Sequence, residues 1–193
     1  MSDALPNGTV PAEAMEVLHF WFLELMPENW FGSSDDVDRA IADRFSSTLS
    51  DASEGKCAHW AETPRGLLAL VIVLDQFPRN IHRGTALAFA HDRAAQILVA
   101  KALDMGWDKK LGMDERQFLY LPLMHAEDRD LQQLCVEKFE ALASSASGIV
   151  GFAERHRDIV ARFGRFPYRN DLLGRDSTLE ERDWIAENGN PFG

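Results

Sequence analysis

The sequence predicts an all-α protein, and three observations support this fold class. Apolar residues recur at helical spacing along most of the chain, and helix-capping residues or Gly and Pro stand at the ends of these stripes. No segment alternates convincingly at the period of two that is typical of strands. With 193 residues, of which 46% are hydrophobic and 26% charged, the chain can bury a core. We therefore expect one helical domain over residues 1–193, with about eight or nine helices joined by short loops.

The first two predicted helices precede the most apolar segment. Pro11 begins a helix that runs to Pro27, and its expected apolar face consists of Met15, Leu18, Phe22 and Leu25. Ser34 caps a second helix that carries acidic residues in its first turn. A separate short helical turn is expected around Asp51–Glu54.

The most apolar segment begins after Thr63 and Pro64. Eight apolar residues in a row, Leu67–Leu74, are compatible with a buried strand or a buried helix. The Thr-Pro start and the continuation to Gln76 favour a central helix that is buried on all sides. This helix is expected to be the most buried element.

Two or three helices are predicted in the middle of the chain. Asp92 is expected to cap a helix over Arg93–Met105, with its inward face formed by Ala94, Ile97, Leu98 and Ala102. A shorter helix over Thr85–Ala90 can precede it. Asp114 opens a helix over Glu115–Tyr120, which Pro122 is expected to bend or end.

Three helices are predicted in the last third of the chain. The first begins at Asp128 or Asp130, and its apolar stripe consists of Leu131, Cys135, Phe139 and Leu142. A small-residue linker, residues 144–148, separates it from a helix that Gly164 ends. Ser177 and Glu180 are expected to form a capping box for the final helix.

Composition excludes several kinds of partner. The 20 basic and 31 acidic residues give a net charge of −11, so we expect no nucleic acid. The longest apolar runs, around Leu18–Met26 and Leu67–Leu74, are too short for a membrane span, so we expect no membrane partner. The spacing of Cys57 and Cys135 fits neither a zinc site nor a CxxC motif. The first basic residue is Arg39, so we expect no positively charged signal peptide. These features predict a cytoplasmic protein.

One polar segment occurs twice. Residues 76–80 (Gln-Phe-Pro-Arg-Asn) are echoed by residues 165–170 (Arg-Phe-Pro-Tyr-Arg-Asn), and each copy follows an apolar helix. Proline is expected to stop the helix and turn the chain sharply at both places. If the two corners face each other, their arginines form an anion-binding pocket. The alternative, which is somewhat more common, is that such Arg and Asn residues only bind the carbonyl groups of neighbouring helices.

The predicted ligand-binding set follows from these corners and from the segments just after them. It consists of Arg79, Asn80, Arg83, Arg165, Arg169, Asn170 and Arg175. Asp75 ends the buried apolar run and needs a cation because an unpaired buried carboxylate is costly. It can orient a catalytic group or a substrate, or serve only as a counter-ion for Arg79 or Arg169.

His125 and His156 are the candidate acid/base residues. Glu127 follows His125 by two positions, so the two side chains converge only if the chain after Pro122 is irregular. His156 lies on an apolar stripe and is more typical of a core histidine. No HExxH, GxSxG, Walker or GxGxxG motif is present, so we expect no metal, no cofactor and no nucleophile of those classes.

Three long motifs carry a resemblance to a known family. They are residues 74–80, residues 118–127 and residues 162–170, and the segments 17–22, 30–31 and 173–178 fit as well. Over nearly the whole chain the sequence resembles the domain of unknown function 924 family. The resemblance implies an antiparallel, tetratricopeptide-repeat-like, right-handed superhelical array. It implies no reaction.

Three functions remain open at this point. The first is a helical array that binds a small anionic ligand or an acidic peptide in an Arg/His-lined pocket. The second is a hydrolase or transferase that acts on an anionic substrate, with His125 or His156 as acid/base and Asp75 or Glu127 orienting it. The third is a scaffold whose motifs are purely structural. An enzyme requires a His that bonds a carboxylate and opens to a cleft beside an arginine, whereas a scaffold requires only a broad groove.

Overall fold

The computed structural model describes residues 9–32, 34–142 and 147–191, and within these ranges it is helical and contains no strand. All-α is therefore confirmed as the fold class. The eight α-helices of these ranges are α1 (Ala12–His19), α2 (Asp35–Ser53), α3 (Pro64–Ile81), α4 (Asp92–Asp104), α5 (Met113–Met124), α6 (Arg129–Leu142), α7 (Ser147–Phe163) and α8 (Leu179–Asn188). Short helical turns connect several of them, over Pro27–Asn29, Ala58–Glu62, Ala86–Phe89, Asp108–Lys110 and Pro167–Arg169.

Helix α3 lies at the centre of the fold. The apolar run Leu67–Leu74 is part of this helix and not a strand, as predicted, and every residue of 66–78 is buried. The Thr63 hydroxyl accepts a hydrogen bond from the Gly66 amide at 3.1 Å, which caps the first turn. A side chain at Gly66 would collide with the Trp60 carbonyl oxygen, so the approach to α3 requires glycine here.

Packing follows chain order around this centre. Each of the helices α2 to α6 packs against the next helix in sequence, and α3 also contacts α1 and α5. This arrangement is compatible with the tetratricopeptide-repeat-like array that the resemblance implies. No helix of the described ranges is long and apolar enough to cross a membrane.

Pro78 does not stop α3, contrary to the predicted corner. The helix continues for three residues beyond it, and the His82 amide donates to the Pro78 carbonyl at 2.9 Å. Side chains support this last turn, because Arg79 Nη1 donates to the Asp75 carbonyl at 2.7 Å and Asn80 Nδ2 to the Gln76 carbonyl at 2.9 Å. Only the second copy of the duplicated segment makes the expected turn, with extended backbone at Phe166 before a short helical turn.

Other boundaries also differ from the sequence prediction. Pro122 lies inside α5, which ends at Met124, and the turn at Asp51 is part of α2. The capping box of α8 uses Thr178 and Glu181, one position after the predicted pair. Of the predicted linker, residues 144–146 lie outside the described residues, and α7 begins at Ser147.

Two predicted apolar faces are rotated. In α1 the buried residues are Ala14, Val17 and Leu18, so Met15 is exposed, and a wider π-helical turn over Phe20–Glu24 follows the helix before Pro27. Helix α4 begins at Asp92 and buries Ala95, Val99 and Ala102, which leaves Ile97 58% exposed. In contrast, α6 buries Cys135, Phe139 and Leu142 as predicted, and Asp128 caps it by accepting from the amide of Leu131 at 2.9 Å.

Candidate functional site

The site is built around Asp75, a completely buried carboxylate on α3. His125 Nδ1 lies 2.8 Å from Asp75 Oδ1, and Gln76 Nε2 donates to Oδ2 at 2.6 Å. Arg79, one turn further along α3, places Nη1 3.3 Å from Oδ1 and supplies the cation that burial requires. Burial by itself raises the pKa of Asp75, but the charge of Arg79 and the bonds from His125 and Gln76 outweigh it and hold the pKa below its ordinary value. Asp75 is therefore an ionised acceptor.

His125 caps the C-terminal end of α5 and directs its ring at Asp75. Because the ionised carboxylate can only accept, the proton of the neutral ring resides on Nδ1, and Nε2 keeps its lone pair. Burial and the charge of Arg79 lower the pKa of His125, and the opposing effect of Asp75 is smaller. The ring is therefore neutral at pH 7. Its side chain is 15% exposed, and His125 lines both cavities described below.

Asp92 joins the two copies of the duplicated segment. Both Nη atoms of Arg79 bind its carboxylate, at 2.8 and 2.9 Å, in a forked pair. Arg169 Nη1 lies 3.7 Å from Asp92 Oδ2 and donates to the His125 carbonyl at 3.4 Å. The two segments therefore lie next to each other, as their shared sequence predicts, although only one of them is a corner.

Arg169 is more weakly paired than Arg79. Its guanidinium carbon lies 4.5 Å from the centre of the Phe89 ring and 4.4 Å from that of Phe166. Its Nε atom is buried and has no hydrogen-bond partner among the described residues. Burial and the nearby charge of Arg79 lower the pKa of Arg169, although an arginine stays charged at neutral pH. This arginine is therefore a cation whose charge is only loosely paired with Asp92.

His156, on α7, forms a second buried imidazole beside the first. The centres of the His125 and His156 rings are 6.3 Å apart, and His156 Nδ1 donates to the Phe152 carbonyl at 2.8 Å. Burial lowers the pKa of His156 from its ordinary 6.5 to about 3, so this ring is neutral as well. His156 shapes the wall of the site and carries no charge there at pH 7.

Two adjoining cavities open at this cluster, of about 490 Å³ and about 440 Å³. Four residues line both of them: Arg79, Arg83, His125 and His156. Asn80 and Gln76 add polar groups to the first cavity, and Arg169 adds a cation to the second. Volumes of this size are typical of sites for small organic molecules.

The structure does not bring the other predicted residues to these cavities. Glu127 binds Arg175 at 2.8 Å and accepts from the Phe166 amide, and its side chain lines neither cavity although the chain between α5 and α6 is irregular. Arg165 forms a forked pair with Glu181. Asn170 is buried and donates to the Ser177 hydroxyl at 3.0 Å. The contacts of these residues connect structural elements.

Sequence reasoning missed part of the site. Asp92 was expected only as a helix cap, because nothing local shows that two distant arginines reach it. Trp30, Phe31, Phe89 and Tyr168 line the cavities, and so do two residues after α8, Asn190 and Pro191. For Tyr168, the sequence signal was its position inside the second copy of the duplicated segment, directly after Phe166 and Pro167.

Within the described ranges, no group of three His, Cys, Asp or Glu side chains is placed to hold a metal ion. The chemistry that the residues themselves offer is proton transfer at His125 Nε2, beside arginines that attract an anion. The hydrogen bond to Asp75 fixes the ring orientation and stabilises the imidazolium that forms when Nε2 takes a proton.

The sequence pattern of the family described as bacterial protein of unknown function (DUF924) matches residues 17–189, so the chain belongs to this family. This confirms the resemblance found in the sequence. The solved structure of a protein of unknown function from Agrobacterium tumefaciens is similar, with 40% identity and a TM-score of 0.85. The match covers 91% of this chain and 98% of the other. No curated protein matches the chain.

Proposed function

We propose that the paired cavities bind a small anionic substrate and that His125 acts on it as a general base, as in a hydrolase or transferase. The observation that supports this function most directly is the 2.8 Å bond between His125 and buried Asp75, in the cavity wall beside Arg79. A scaffold does not need a buried carboxylate–imidazole pair next to an arginine. Cavities of about 490 and 440 Å³ have the size of sites for small molecules, which favours a small molecule over an acidic peptide. We place this activity in the cytoplasm, where the two buried free cysteines stay reduced.

The proposed step is a substitution at an electrophilic carbonyl carbon or phosphorus. A water molecule, or an acceptor hydroxyl in a transferase, gives its proton to His125 Nε2 while its oxygen forms the new bond. Asp75 stabilises the imidazolium that results. The bond to the leaving group then breaks, and His125 returns the proton to that group, so the enzyme ends as it began.

The arginines have a separate task in this proposal. Arg169 contacts the anionic group of the substrate, because it lines the second cavity, its pairing with Asp92 is loose at 3.7 Å, and its Nε has no hydrogen-bond partner among the described residues. Arg79 is paired with the carboxylates of Asp75 and Asp92. Its charge lowers the pKa of His125, which keeps the base unprotonated before the reaction. Binding and base activation are therefore assigned to different residues.

The test is an activity screen with p-nitrophenyl phosphate and p-nitrophenyl esters of acidic acyl groups. The purified protein is compared with His125→Gln and with His59→Gln, which changes an exposed histidine outside the cavities. We expect His125→Gln to lower kcat by roughly 10²–10⁴-fold and His59→Gln to retain full activity. Equal rates for all three proteins, or no hydrolysis of any compound, would contradict the proposal.

A further inference from the structure

The two cavities have different walls beyond the residues that they share. In the first cavity, the additional wall is largely aromatic or apolar and includes Trp30, Phe31, Leu121, Met124 and Phe152. In the second cavity, the additional wall contains Arg169, a cation that the first cavity lacks. His125 lies between these two environments because it lines both cavities.

The aromatic wall is held in place by contacts inside the protein. Trp30 Nε1 donates to the Trp21 carbonyl at 2.8 Å, and the Trp30 ring packs edge-on against Phe118 at 5.1 Å between centres. Phe31 stacks parallel to the same Phe118 ring, at 5.9 Å and an interplanar angle of 5°. These rings therefore present a preformed apolar surface, and a ligand does not need to order them.

Two aromatic side chains of this wall are unusually accessible. Phe31 is 61% exposed and Phe152 is 47% exposed, although both belong to the same cavity. Exposed aromatic surface inside a cavity loses its contact with water when an apolar group covers it. A ligand with an apolar body gains binding free energy there, whereas a bare inorganic anion does not.

We infer that the substrate is an amphipathic organic anion, a refinement that rests on the proposed function. Its phosphate or carboxylate group binds Arg169, and its aromatic or branched apolar body lies against Phe31 and Trp30. The bond between these two parts then lies near His125 Nε2, where the base acts. A substrate with a single anionic group and no apolar body leaves the first cavity unused.

Titration calorimetry with matched probes tests this inference. The probes are inorganic phosphate against phenyl phosphate, acetate against phenylacetate, and benzyl alcohol as an uncharged aromatic control. We expect the aromatic member of the preferred pair to bind roughly tenfold or more tightly than its small partner. The preferred pair shows whether phosphate or carboxylate is the natural group, and benzyl alcohol binds more weakly than the aromatic anion.

Variants connect the aromatic preference to the cavity wall. Phe31→Ala is expected to remove most of the preference while leaving the affinity for the small anion unchanged, and Phe31→Leu retains part of it. Leu23→Ala serves as the matched control, because Leu23 is 74% exposed and outside both cavities. Thermal unfolding by circular dichroism verifies that each variant is folded.

The outcomes separate the inference from the function on which it rests. Equal affinity for small and aromatic anions, or an undiminished preference in folded Phe31→Ala, overturns the inference and leaves the proposed function intact. Aromatic anions that bind as expected, combined with full turnover by His125→Gln, support the inference and overturn the proposed catalysis. The absence of saturable binding by every anion overturns both.

Discussion

His125 Nδ1 lies 2.8 Å from Asp75 Oδ1, although 50 positions separate the two residues in the sequence. The carboxylate comes from the centre of the most buried helix and the imidazole from the end of α5, so the packing of α3 against α5 creates the pair. A carboxylate at this distance ordinarily raises the pKa of a histidine. Here burial and Arg79 outweigh that effect and lower the pKa of His125, and the result is a neutral imidazole in a fixed orientation.

Asp75→Asn tests whether this carboxylate sets the tautomer of His125. An asparagine can turn its amide donor toward Nδ1, which places the imidazole proton on Nε2 and removes the lone pair that the proposed base needs. We expect the ring nitrogen shifts of His125 in long-range ¹H–¹⁵N NMR to change from the Nδ1–H pattern to the Nε2–H pattern. Turnover is expected to fall together with this change.

Asp104→Asn is the control for that experiment, since Asp104 is an exposed carboxylate on α4. It removes the same charge from the protein without touching the site. The wild-type tautomer and rate are expected to persist in this variant. An Nδ1–H pattern that survives in Asp75→Asn would show that the carboxylate does not orient the ring.

The sequence was sufficient to identify the helices but not their exact rotation or ends. Local signals, such as the Thr63-Pro64 start and the cap at Ser34, predicted the beginnings of α3 and α2 correctly. Pro78 was misjudged because tertiary packing and the side chains of Arg79 and Asn80 carry α3 through the proline. Helix propensity is a weak prior that such packing routinely overrides.

The same distinction applies to the candidate site. The need of buried Asp75 for a cation was visible locally, and Arg79 one turn away satisfies it. The pairing with His125 and the convergence of Arg79 and Arg169 on Asp92 depend on contacts between distant segments. The spacing of residues along the sequence gives no information about contacts between such distant segments. The aromatic wall at Trp30 and Phe31 was hidden for the same reason.

Two pairs of alanine variants test the core and the rotated face of α4. Leu70→Ala or Leu74→Ala is expected to lower the free energy of unfolding by roughly 2–5 kcal/mol, because each leaves a cavity in a close-packed centre.

On α4, Val99→Ala is expected to lower the free energy of unfolding by roughly 1–3 kcal/mol, whereas Ile97→Ala lowers it by less than about 1 kcal/mol because Ile97 is 58% exposed. Urea unfolding measures all four values. A larger loss for Ile97→Ala than for Val99→Ala would restore the originally predicted face.

His156 gives the stability of the protein a dependence on pH. The unfolded chain binds a proton at this residue below its ordinary pKa of 6.5, whereas burial lowers the folded-state pKa to about 3. Below pH 6.5 the unfolded state therefore holds more protons, and stability falls as the pH falls. Between pH 7 and pH 5 we expect this residue alone to cost about 2 kcal/mol, and the lowered pKa of His125 acts in the same direction.

His156→Gln separates this contribution from the rest. Glutamine does not titrate, so we expect the variant to lose less stability than the wild type when both are unfolded by urea at pH 7 and pH 5. The exposed His59→Gln is expected to match the wild type at both values. Parallel losses in His156→Gln and wild type would show that His156 does not titrate differently in the folded and unfolded states.

In the proposed function, anion binding depends most directly on Arg169. A specific anion stabilises the folded protein by RT ln(1 + [L]/Kd), so phosphate at a hundred times its Kd adds about 2.7 kcal/mol. Arg169→Lys keeps a positive charge but loses Nε and the planar fork, so we expect a smaller rise in Tm with phosphate. Phosphate also stabilises proteins through general exclusion from their surfaces. Arg182→Lys, on the exposed face of α8, reports that general effect and is expected to respond like the wild type. Equal Tm shifts for the wild type, Arg182→Lys and Arg169→Lys would mean that Arg169 does not contact the anion.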